Sequence, residues 1–163
     1  WNTHIANNVF LGVTGETLTG GPRDPSVSTM DYNGYRKMDI IRWYFFDEAD
    51  NRRELKPYEK LKELPGAVKF EKYEKIAEFA ETTGREIHGI TLELSDFRAL
   101  PEPAEGENTT ADSLDPRPAA SSKVINAGKV IPNVTDGYSG GAPDLGIIEF
   151  GESLPYYGPR ERK

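Results

Sequence analysis

The chain has 163 residues, 36% hydrophobic and 29% charged, with a formal net charge of −7 and a sequence pI near 5.0. That length supports one core-bearing domain, and the acidic balance argues against a general affinity for nucleic-acid phosphates, which needs a basic footprint. The absence of cysteine excludes disulfides, thiolate metal sites and cysteine nucleophiles, and no apolar run approaches the roughly 18 residues that span a bilayer.

The chain starts at Trp1 with neither an initiating Met nor a signal peptide, so it reads as a processed, nicked or truncated product. Residues 1–13 form short extended segments around a polar corner: Ile5 precedes Asn7-Asn8, and Val9-Phe10-Leu11 follow. Paired Asn marks a tight turn, because Asn tolerates left-handed backbone and bonds its own main chain. A Gly-, Thr-, Ser- and Pro-rich loop spans 14–29.

Residues 30–46 are the most aromatic stretch. Asn33-Gly34 signals a turn, and Ile40, Ile41, Trp43, Tyr44, Phe45 and Phe46 form a β-type run suited to a core or a ligand platform. Residues 47–65 are a charged excursion. From Glu71 to Thr83 the spacing predicts a helix with Tyr73, Ile76, Ala77 and Ala80 inward, a Glu71–Lys75 pair, and Gly84 as the terminating glycine. Residues 85–97 predict a strand, with Ile87, Ile90, Leu92 and Leu94 as apolar positions. Residues 101–122 are a polar loop, and the tail from Lys123 is short apolar steps between glycines and prolines.

The tail carries the most specific pattern. Residues 121–151 read SSKVINAGKVIPNVTDGYSGGAPDLGIIEFG. This resembles the closing segment of right-handed parallel β-helix, pectate-lyase-like proteins. Ser122, Ile125, Ala127, Gly128, Asp136, Gly137, Gly140, Ala142, Pro143, Asp144, Gly146, Glu149 and Gly151 match its general form. Lys123, Val124, Asn126 and Ile147-Ile148 depart from it. Upstream, Asn7-Asn8-Val9-Phe10 resembles a rung turn and Asp31-Tyr32-Asn33-Gly34-Tyr35 a late-rung segment. The stretch through Thr83-Gly84, Glu86 and His88-Gly89 resembles an insertion in one bacterial subgroup.

The resemblance implies a mainly β fold: the last rungs and C-terminal cap of a right-handed parallel β-helix with one inserted amphipathic helix. Terminal rungs would occupy 1–46. An insertion would occupy 47–107, with its helix at about 71–83 and strand at about 85–97, and a loop and cap would occupy 108–163. It also implies a secreted, periplasmic or cell-surface setting and a polysaccharide ligand. An upstream fragment of the same precursor, or another subunit, would complete the fold. A stacked-repeat protein buries its faces only between neighbouring coils, and the cap glycines and aspartates then serve turns.

Two functions follow as expectations. One is a polysaccharide lyase or glycoside hydrolase. The other is a non-catalytic surface, adhesion or assembly protein. A lyase needs a base and a cation beside a uronate carboxylate, whereas a hydrolase needs two flanking carboxyl groups. Arg36, Tyr35 and His88 are the catalytic candidates, and Tyr32, Lys37 and Trp43 the substrate-binding ones. Each has a plainer alternative: tyrosines packed in the core, cations solvated, His88 hydrogen-bonded for structure. No metal motif stands out. Calcium enters only through the lyase resemblance and the short acidic run Asp47, Glu48 and Asp50, which lacks EF-hand spacing.

Overall fold

The computed structural model describes residues 3–12, 18–19, 29–36, 41–46, 68–102, 104, 106, 110 and 113–154, with backbone alone for 18–19, 41–46 and 68–72. In chain order the strands are β1 (His4–Ile5), β2 (Val9–Phe10), β3 (Leu18–Thr19), β4 (Thr29–Met30), β5 (Gly34–Arg36), β6 (Ile41–Phe46) and β7 (Val68–Tyr73). Helix α1 (Ile76–Thr83) follows, then β8 (Ile90–Leu92), a 3-10 turn at Leu94–Asp96, β9 (Phe97–Ala99) and β10 (Asp115–Pro118).

These strands make four small sheets, ordered β1-β4, β2-β5-β8, β3-β6-β7 and β9-β10. Pairing is parallel in β1-β4, β2-β5-β8 and β3-β6, and antiparallel in β6-β7 and β9-β10. The expected parallel β-helix is therefore corrected. No sheet among the described residues exceeds three strands, antiparallel pairs close two of the sheets, and no solenoid is evident. Stacked coils would need parallel sheets running continuously from coil to coil. Here the parallel order stops after two or three strands, and the matched tail 121–151 forms turns without a strand or helix.

Two apolar clusters lie on opposite faces of β5. Met30, Tyr35, Tyr73 and Phe79 form the first, with Ile5, Phe10 and Ile76 against it. Phe10 stacks on Tyr35 at 5.0 Å, and Tyr73 meets Phe79 edge-on at 5.3 Å. Leu92, Phe97, Val124 and Leu145 form the second, with Val9, Leu11, Ile90, Leu100 and Ala127 around it. Alternation along β5 sends Tyr35 to the first cluster and leaves Gly34 facing the second. A Cβ on Gly34 would lie 2.4 Å from Leu92 Cδ1, so any side chain there would force Leu92 to shift. Asn33-Gly34 thus opens a strand instead of making a hairpin turn.

The helix is shorter than the spacing predicts. Residues through Tyr73 are spent on antiparallel pairing with β6, where Tyr73 opposes Ile41 and Glu71 opposes Trp43. The Glu71–Lys75 helical pair therefore does not form; Lys75 lies 3.5 Å from Glu78. Gly84 does end the helix, at φ 68°, donating to Ala80 O at 2.8 Å. Phe79 is the buried residue of α1, while Ala77 is exposed. A large aromatic side chain recruits more apolar area than a methyl and sets the inward face.

The expected strand over 85–97 is broken into a turn, β8, the 3-10 turn and β9. Asp96 causes the second break: its Oδ2 accepts from Glu93 N at 2.8 Å and its Oδ1 from Lys123 N at 3.0 Å. The tail is held by side-chain caps as well. Asn126 Oδ1 accepts from Gly141 N at 2.7 Å and Ala142 N at 3.2 Å, and Asp144 Oδ1 accepts from Asn126 N at 2.7 Å. Asn7 ties the tail to the chain start, donating to Lys129 O at 2.8 Å and accepting from Lys129 N at 2.7 Å.

Candidate functional site

The parallel register of β5 and β8 pairs Gly34 with Ile90. The chain leading into β5, residues 30–33, is thereby set beside the turn leading into β8, residues 86–89. Glu86 N donates to Met30 O at 2.9 Å and Gly89 N to Glu86 O at 3.0 Å, so the turn is pinned at both ends.

Asp31 and His88 meet there. Asp31 Oδ2 lies 2.8 Å from His88 Nδ1, and Asp31 Oδ1 accepts from His88 N at 2.7 Å and Tyr32 N at 2.9 Å. A carboxylate accepts hydrogen bonds, so Nδ1 carries the proton and the lone pair of the neutral ring is left on Nε2. The Tyr32 ring stacks on His88 at 4.3 Å and 14°. The His88 side chain is 54% exposed and that of Asp31 25%. Burial works to raise the Asp31 pKa, but hydrogen bonds from the His88 ring, His88 N and Tyr32 N outweigh it and hold the carboxyl below its usual value. Asp31 therefore stays an anion that orients an accessible imidazole.

Beneath this pair lies a buried polar ladder. Glu86 is 1% exposed with φ 52°, a conformation that non-glycine residues seldom adopt. Its Oε1 accepts from Tyr35 Oη at 2.7 Å and Asn33 Nδ2 at 2.6 Å, and its Oε2 from Asn33 N at 3.3 Å. Asn33 Oδ1 in turn accepts from Asn8 N at 3.0 Å and Asn8 Nδ2 at 2.9 Å. Burial pushes the Glu86 pKa up, and the hydrogen bonds from Tyr35 and Asn33 only partly oppose this. Burial, reinforced by the Glu86 charge, pushes the Tyr35 phenol far above its ordinary value.

A cavity of about 590 Å³, lined in part by residues of this turn, opens between α1 and β8. Ile76, Ala77, Ala80 and Ile87 give it apolar walls, and Glu74 and Lys75 also line it. Ile87 and Gly89, the neighbours of His88 in the chain, belong to this lining.

Two of the sequence candidates, Tyr32 and His88, come together here, with Asp31 as their link. Two others do not reach solvent: Tyr35 is 0% exposed and bonded to Glu86, and Arg36 is 2% exposed and ion-paired with Glu102. Lys37 lies outside the described residues, as do Asp47, Glu48 and Asp50; Trp43 sits in β6 with its side chain outside them. Among the described residues no group of three metal-ligating side chains occurs, and no helix is long and apolar enough to cross a membrane. Sequence reasoning noticed Glu86 and Asp31 only as parts of longer motifs. The usable signal for Glu86 was a carboxylate two residues after the helix-ending Gly84, between Arg85 and Ile87.

Comparison with protein-family models, curated proteins and solved structures returns no match.

Proposed function

We propose that the chain acts on an acidic extracellular polysaccharide as a lyase, with His88 as the proton acceptor. The observation that carries this reading is the Asp31–His88 pair, in which the carboxylate holds Nδ1 and leaves Nε2 to solvent. In the reaction, Nε2 takes the proton from the sugar carbon next to the uronate carboxyl group. The electron pair left on carbon forms a carbon–carbon double bond, the adjacent glycosidic C–O bond breaks, and the departing oxygen is protonated by solvent. Tyr32, stacked on the imidazole, limits its rotation and gives the sugar an aromatic neighbour. A cation is also required at the uronate carboxylate, and Lys75, which lines the cavity together with Ile87 and Gly89, is the candidate we assign to it.

Hydrolysis has less support. It calls for two carboxyl groups flanking the bond, while Asp31 is committed to His88 and Tyr32 and Glu86 is buried under Tyr35 and Asn33. The non-catalytic reading, a surface or assembly protein, draws on the exposure of Ile147 (78%) and Val134 (73%) on the tail.

The test is incubation with polyuronates of different sugars, reading the ultraviolet absorbance of the unsaturated product. The lyase reading expects absorbance to grow with wild type and to fall on the order of a hundredfold or more in H88A, the usual range for loss of a general base, at unchanged melting temperature. No product from any polyuronate, or full turnover in folded H88A, would reject it.

A further inference from the structure

Arg36 is ion-paired with Glu102 and plays no part in the proposed reaction. Arg36 is 2% exposed, and alternation puts its side chain on the same face of β5 as Gly34, toward Leu92 and Leu145. Its Nη2 donates to Glu102, but among the described residues no acceptor reaches its Nε or Nη1. Donors stripped of water and given no acceptor are costly, and a guanidinium offers them in a fixed planar fork suited to carboxylates. Arg36 and Glu102 differ in setting. Arg36 is fixed in a strand, whereas the Glu102 side chain is 53% exposed on the irregular segment after β9.

We propose that Arg36 is the floor of a carboxylate-binding site and that Glu102 covers it as a displaceable stand-in. A ligand carboxylate entering as Glu102 swings out engages the Nε–H and Nη donors together, where Glu102 engages Nη2 alone. The ligand class is an organic acid with an unhindered carboxylate, either a small free acid or a uronate unit. Arg36 is bonded to Glu102 from within β5, while His88 is bonded to Asp31 ahead of that strand. The site is therefore separate from His88 and stands whether or not the lyase reading does.

The test uses the full chain as wild type, E102Q and the double variant R36Q/E102Q, with acetate and galacturonate as probes at constant ionic strength. Thermal midpoints are read against probe concentration. Removing the internal competitor raises the competent fraction, so E102Q responds at a concentration on the order of tenfold lower than wild type, and R36Q/E102Q does not respond. Response to both probes points to a bare-carboxylate site; response to galacturonate alone points to a sugar site. Equal responses in E102Q and the double variant, or none in a folded E102Q, overturn the proposal. Should E102Q fail to fold, the Arg36 Nε–H resonance of arginine-labelled wild type decides the matter. A saturable shift with either probe supports the site, and an unmoved resonance refutes it.

Discussion

Glu86 and Asp31 are close enough to feel each other's charge, yet burial and hydrogen bonding push their pKa values in opposite directions. The folded Glu86 holds its proton to higher pH than the unfolded chain does. Its contribution to stability is therefore lost as pH rises from the ordinary Glu range through its raised folded value. E86Q lacks this titration, so the difference in urea midpoint between wild type and E86Q should shrink or reverse across that window; a pH-independent difference would contradict the assignment. Asp31 behaves oppositely. Its folded pKa lies below the ordinary value for an aspartate, so its stabilisation is present above that ordinary value and lost as pH falls through the folded one. D31N should lose that acid limb. Gly34→Ala tests the tightest approach, with a Cβ 2.4 Å from Leu92 Cδ1. Overpacking of this kind costs about 1–3 kcal/mol, which a denaturant titration would register.

At the scale of elements, α1 is anchored through Phe79, which is fully buried against Tyr73. Phe79→Ala should destabilise by about 3–5 kcal/mol, the usual cost of emptying a buried aromatic site. Substituting exposed Ala77 with Glu should change stability by no more than about 0.5 kcal/mol. A reversed ranking would mean that the inward face follows Ile76, Ala77 and Ala80 after all. The helix and its terminating Gly84 were legible because periodicity and a C′ glycine are local signals. Its start was not, because the claim of β6 on Glu71–Tyr73 is made by residues far away in sequence. The same contrast runs through the site. His88 and Tyr32 were visible as chemically able residues, whereas the Asp31–His88 bond joins positions 57 residues apart and depends on the β5–β8 register. Likewise the tail glycines announced turns, whereas Asn33-Gly34 opens a strand, and turn residues do not say how many strands will stack between them.

Across the whole molecule, the tail behaves as part of the core. Val124 and Leu145 pack on Leu92 and Phe97, Leu145 N donates to Val124 O at 3.0 Å, and Gly146 N donates to Asn7 O at 3.0 Å. The tail amides of Gly128, Leu145 and Gly146 should therefore exchange with solvent at the rate set by global unfolding. Truncation before residue 121 should abolish cooperative unfolding, because it uncovers the second apolar cluster from one side. A tail that exchanges quickly while β5 and β8 stay protected would show two independent units instead. The site inherits its rigidity from this arrangement, since the strands that set Asp31 beside His88 also carry Gly34 and Leu92 against the tail.

The tautomer of His88 tests the central claim most directly. Nitrogen-15 spectra of the neutral imidazole should show a protonated Nδ1 and a bare Nε2 in wild type, with D31N moving toward the Nε2-protonated form. A wild-type ring protonated at Nε2, or a tautomer indifferent to D31N, would mean that Asp31 does not orient His88, and the proposed base would be lost.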